Sequence, residues 1–164
     1  MKRAIFLLAL VAGTAAAEPA PLVPAACGVR QTLWIEHYAA QLHVPAGKTA
    51  AALHDPQQPK MLRMRILNSM LMPSDIPRRW RDALQPVLDA ETMRRLRAGY
   101  RTLQEGDTVV VTYEPQRGVK LRINERTVAD ARGHGAIDAL LAAWAHNTPV
   151  EQKLAGTVSR NPCA

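Results

Sequence analysis

The sequence predicts an α+β domain in which an antiparallel sheet carries a helical layer on one face. Three observations lead there. Strand-like runs come in groups, two before the middle of the chain and three after it. The two amphipathic stretches between those groups follow one another with no strand between them. The resulting order, β, β, α, α, β, β, β, α, α, lacks the β–α alternation of a parallel sheet. A chain of 164 residues is one domain's worth. With 48% hydrophobic and 21% charged residues it is not a disordered chain, and with two cysteines it is not a disulfide-dense mini-scaffold.

The N-terminus reads as an export signal. Met1-Lys2-Arg3 is basic, Ala4 to Val11 is apolar, and Ala15-Ala16-Ala17 offers small residues to a signal peptidase. Residues 1–17 are therefore expected to be removed after Ala17, leaving a periplasmic protein. The apolar run is shorter than the roughly 20 residues that span a bilayer. A lipoprotein signal would place an apolar residue three before its cysteine, where Pro24-Ala25-Ala26-Cys27 has proline. Cleavage takes Lys2, Arg3 and the single phenylalanine, Phe6, so part of the +7 net charge and of the apolar fraction belongs to the signal.

Residues 18–26 (EPAPLVPAA), with three prolines, read as an extended arm, and 27–164 as the domain. From Gln31 to Val44 one long strand is expected, with Trp34, Tyr38, Ala40, Leu42 and Val44 on one side. Pro45 to Pro59 is a loop with a short helical turn at Thr49–Leu53. A second strand follows from Met61 to Leu71, where Leu62, Met64 and Ile66 alternate with Arg63 and Arg65. Ser74-Asp75 opens a helix to Leu84 with Pro77 in its first turn. Asp89 opens another to about Gln104, whose Met93, Leu96, Tyr100 and Leu103 recur at helical spacing. Thr108–Tyr113 and Val119–Asn124 form a hairpin, and Thr127–Ala129 a short strand. Ala136 to Ala145 is helical, and Thr148-Pro149-Val150-Glu151 is a capping box that starts a last helix to about Val158.

The arginines Arg78, Arg79, Arg81, Arg94, Arg95, Arg97 and Arg101 make the middle of the chain basic. No aromatic or glycine-rich reading element is interleaved with them and the chain reads as exported, so no nucleic-acid partner is expected. The better reading is a solvated helix face, with peripheral contact to anionic lipid headgroups left open. No metal site and no cofactor are expected. His37 and His43 share a strand face, His54 and His134 are scattered, and Met64, Met70 and Met72 have the strand parity of core residues. There is no G-x-S-x-G and no S-x-x-K, and no carboxylate pair suggests acid–base chemistry. Cys27 and Cys163 stand at the two ends of the exported chain and read as one disulfide. Closing so long a loop is worth about 4–5 kcal/mol on the chain-entropy estimate.

Several pieces in order resemble the chalcone isomerase fold, specifically its bacterial, exported, chalcone isomerase-like branch. They are Gly28-Val29-Arg30, the strand LWIEHYAAQLHV, the segment MPSDIPRRWRDAL, the run EGDTVVVTYEPQRGVKLRINERTVAD, and IDALLAAW with TPVEQKL. The resemblance spans residues 28–158 and implies an open-faced β-sandwich with an apolar cleft between sheet and helices. It puts Arg30 in the place of the arginine that supplies a cation to the enolate in the ring-closing enzymes. The other polar positions of those enzymes correspond here to Tyr38, Ile76, Ala83 and Leu140-Leu141-Ala142-Ala143. The resemblance thus implies a non-catalytic binder of an apolar anion, a fatty or aromatic acid. Arg30 clamps the carboxylate in this reading, and Trp34, Tyr38, Met64 and Ile66 line the cleft. An isomerase or lyase on another substrate, and an envelope protein-interaction module, are the alternatives. The sequence leaves the oligomeric state undefined.

Overall fold

Six strands form one antiparallel sheet in simple sequential order, the arrangement that grouped rather than alternating strands dictate. The computed structural model describes residues 20–145 apart from Leu33 and Leu71. The expected signal segment 1–17, the expected helix after Thr148 and Cys163 lie outside the described residues. The strands are β1 (Leu22–Thr32), β2 (Ile35–Pro45), β3 (Lys60–Ile66), β4 (Thr108–Glu114), β5 (Gly118–Ile123) and β6 (Arg126–Ala131). Between β3 and β4 the chain forms α1 (Arg78–Leu84) and α2 (Ala90–Arg101), and α3 (Gly135–Ala145) follows β6. No helix among the described residues is long and apolar enough to cross a membrane.

Cross-strand neighbours in a sheet share a face, so the register shows how the core is laid. Leu42, Leu62, Val111, Leu121 and Ala129 stand side by side across five strands, all buried. Ala40, Met64, Val109 and Ile123 make the next row. Helical side chains close over this face, among them Leu84 of α1, Leu96 of α2 and Ile137 and Leu140 of α3. Arg63, Arg65 and Lys120 point to the other side and are exposed. Gly99 lets α2 come down on the sheet. A Cβ there would sit 2.9 Å from Ile123 Cδ1 and 3.0 Å from Val128 Cγ1.

The expected single strand over 31–44 is in fact a hairpin. Trp34 lies on its turn, and no glycine or asparagine stands between the two strands to announce it. From Leu22 the expected arm is already β1, paired with β2. Pro24 is tolerated because β1 is an edge strand, and the register slips beside it, between Pro24 and Ala26. β3 ends at Ile66 rather than Leu71, because the Leu67 and Asn68 amides turn to donate to the His37 carbonyl (2.8 and 3.2 Å). Met70 therefore leaves the sheet and is 83% exposed, against its expected place in the core. α1 starts three residues later than expected, after Pro77. Asp89 caps α2 as anticipated, its carboxylate accepting from the Thr92 amide (2.7 Å) and hydroxyl (2.9 Å). The expected turn at 49–53 is a 3-10 turn, Ala50–His54. Lys60, buried and held below its ordinary pKa by that burial, donates to the Leu53 carbonyl and ties this loop down.

Candidate functional site

The sheet and helices do not pack to closure everywhere. A cavity of about 440 Å3 lies between them. Its floor is the core face of the sheet: Leu62, Met64 and Ile66 of β3, Val109 and Val111 of β4, and Leu121 and Ile123 of β5. Its roof comes from Ile76 before α1, Trp80 of α1, Leu96 and Tyr100 of α2, and Leu140 of α3. That size and apolar character are those of a small-molecule site.

The roof is held by one carboxylate. Asp75 accepts both ways from the Arg97 guanidinium and more distantly from Arg101 Nη2 (3.5 Å), and it also accepts from the Ile76 amide (2.9 Å). The segment before α1 is thereby pinned to α2, and Ile76 is turned in over the cavity. The bidentate Arg97 fork is the main reason the Asp75 carboxyl stays well below the usual carboxylate range.

Polar groups gather at one end, and the register explains each. Arg30 pairs across the sheet with Tyr38, and Tyr38 with Ile66, so the three form a row on the core face. The β1–β2 register slips just beyond Arg30: Arg30 stands opposite Tyr38, but Gln31 stands opposite Glu36. His37 is the extra residue of that bulge. A bulge re-aims side chains, and His37 lines the cavity although strand alternation alone would turn it away. The hydrogen bonds from Leu67 and Asn68 to its carbonyl fix it there. It is thus separated from His43, which is buried on the other side of the strand beside Gln41, with its pKa lowered by burial and by Arg63. Among the described residues no three of His, Cys, Asp and Glu are placed to hold a metal.

Of the residues expected to bind ligand, Arg30, Tyr38, Met64 and Ile66 are brought together around the cavity. Trp34 is not. It sits on the β1–β2 turn, 79% exposed, and its expected place in the cleft is corrected accordingly. Among the lining residues that the sequence does not single out are His37, Arg79, Trp80 and Tyr100. Tyr100 had a signal, being on the apolar stripe of α2. His37 had none, since a bulge changes parity without marking the sequence.

Arg30 and Arg79 make no hydrogen bond or ion pair with any described residue. Among the described residues no Asp, Glu, Lys, Ser, Thr or Cys lines the cavity. What it offers is two guanidiniums, an imidazole, two phenols and an apolar interior. Tyr100 is pushed up to about 12, first by burial and then by the nearby Tyr38 and Asp75. It therefore remains a neutral O–H donor throughout the physiological range. Because its folded pKa lies above the unfolded value near 10, Tyr100 favours the folded state below pH 10 and stops doing so as pH rises toward 12. Because burial raises Tyr113 as well, ultraviolet difference titration should find late-ionising tyrosine above pH 10, and Tyr100→Phe should remove one tyrosine's share of it.

The chain matches the chalcone isomerase-like family over residues 11–156. Its fold is similar to the crystal structure of a fatty-acid binding protein from Arabidopsis thaliana, with a TM-score of 0.51 and 13% sequence identity. The likeness covers 83% of this chain and 85% of that one. No curated protein matches it in sequence.

Proposed function

Because the chain belongs to the chalcone isomerase-like family, we propose that it is an exported, non-catalytic binder of an amphiphile with an apolar tail and an anionic head, a fatty acid being the simplest case. One observation carries the reading: Arg30, which has no partner among the described residues, stands at an apolar cavity of about 440 Å3 where no described acidic residue joins the lining. Such a cation suits a carboxylate bidentately, with Tyr38 and Tyr100 as neutral donors beside it. Burying the tail contributes about 0.8 kcal/mol per methylene. At about 30 Å3 per water-sized group, the cavity has room for on the order of fifteen non-hydrogen atoms, a medium to long chain. The Arabidopsis neighbour, a fatty-acid binding protein, supports this reading.

Export rests on the Met1–Ala17 segment, and it makes a Cys27–Cys163 disulfide part of the proposal. Cys27 is buried on β1, opposite Gln41. Denaturing mass spectrometry of the protein purified from the periplasm should release a co-purified amphiphile. Delipidated protein should melt higher with C12–C18 acids, since a ligand at a hundred times its Kd stabilises by about 2.7 kcal/mol. A non-reducing peptide map of the same sample should contain the Cys27–Cys163 pair. No released lipid and no shift with any of these acids would refute the binding reading, and two free thiols would refute the disulfide.

A further inference from the structure

The seven arginines of the helical belt are not equivalent. Arg78 and Arg81 pair with Asp82, Arg94 and Arg95 with Glu91, and Arg97 and Arg101 with Asp75. Arg79 alone of the seven has no acidic partner among the described residues, and it alone of the seven lines the cavity. Arg30 reaches the same cavity from the opposite layer, β1 against α1, also without a partner among the described residues. His37 lies in the same lining, and no described carboxylate there offsets any of them.

Two guanidiniums lining one cavity, with no described carboxylate among its lining residues, leave an excess of positive charge there that an anion can offset. A single carboxylate neutralises one guanidinium and leaves the other in excess. A phosphomonoester carries about −1.5 to −2 at pH 7 and has three acceptor oxygens, enough to be gripped by two forks from two sides. We propose that Arg79 and Arg30 together form a two-arginine headgroup site, and that the preferred ligand is an amphiphile whose head is a phosphomonoester. This rests on the amphiphile-binding reading and narrows it to one class of head.

The test compares two ligands with the same tail, dodecanoate and dodecyl phosphate, titrated below their micellar concentrations into delipidated protein at pH 7.5. Dodecyl phosphate should bind about tenfold more tightly, as an added charge-assisted pair allows. Arg79→Gln should bring the ratio of the two affinities toward one, and Arg79→Lys, which keeps the charge and loses the fork, should restore part of it. Arg78→Gln, one residue away but paired with Asp82 and outside the cavity, should leave the ratio as it is. Equal or tighter dodecanoate binding by the unmodified protein overturns the headgroup proposal and leaves the amphiphile-binding reading standing. An equal effect of Arg78→Gln also overturns it, by showing diffuse charge rather than a site. Binding of neither ligand overturns both.

Discussion

Arg30→Ala should weaken the binding of a saturated fatty acid by about 10- to 100-fold, as expected when a charged hydrogen-bonded contact worth about 1.5–3 kcal/mol is lost. The reason lies in where the guanidinium is and in what it does not touch. Its row with Tyr38 and Ile66 turns it toward the cavity, and no described carboxylate competes for it. Since it pairs with no described residue, its removal should leave the melting temperature of the delipidated protein within about 2 °C, as for an exposed surface substitution. Arg30→Lys should fall between the two, because an ammonium keeps the charge but cannot present a planar fork. Calorimetric titration of the three proteins with one fatty acid decides the matter. An unchanged Kd in Arg30→Ala would place the head elsewhere.

Leu42→Ala should have the opposite profile, a large loss of stability and no direct loss of a ligand contact. Leu42 has no exposed surface and begins the apolar row that runs through Leu62, Val111 and Leu121 to Ala129. Unlike Leu62, it does not line the cavity. Truncating a leucine in such a position costs about 3–4 kcal/mol, the transfer term plus the void it leaves. That is a large share of the 5–15 kcal/mol by which domains are stable, and corresponds to a melting temperature lower by roughly 10 °C. Chemical denaturation measures it: the midpoint should fall while the slope against denaturant stays the same. A loss below 1 kcal/mol would mean that this end of the sheet is not the structural centre the register makes it.

Most of the secondary structure was legible because its signals are local. Helix α2 announces itself through 3- and 4-residue apolar spacing and the Asp89 cap, and β4–β5 through apolar runs around Pro115-Gln116-Arg117-Gly118. The elements misread were those whose limits depend on partners. The β1–β2 turn has no turn residues. β3 stops where the His37 carbonyl takes the next two amides, and Met70, in phase with the core by count, is outside it by position.

The site divides the same way. Arg30, Tyr38, Met64 and Ile66 were named from a resemblance along the chain, and all four meet at the cavity. Parity puts Trp34 on the core side of a single long strand, but the chain turns there into a hairpin and leaves it exposed. His37 entered through a bulge, and Arg79 was hidden among six neighbours of the same kind. The order of elements, the grouping of strands and the apolar face of each helix are set by the sequence itself, because periodicity and capping act within a few residues. Which cations remain unpaired, and which of them share one cavity, only the tertiary structure decides. Charge pairing depends on distances between residues far apart in the chain: Asp75 takes Arg97 and Arg101 from twenty-two and twenty-six positions away, and leaves Arg79, only four away, unpaired at the cavity.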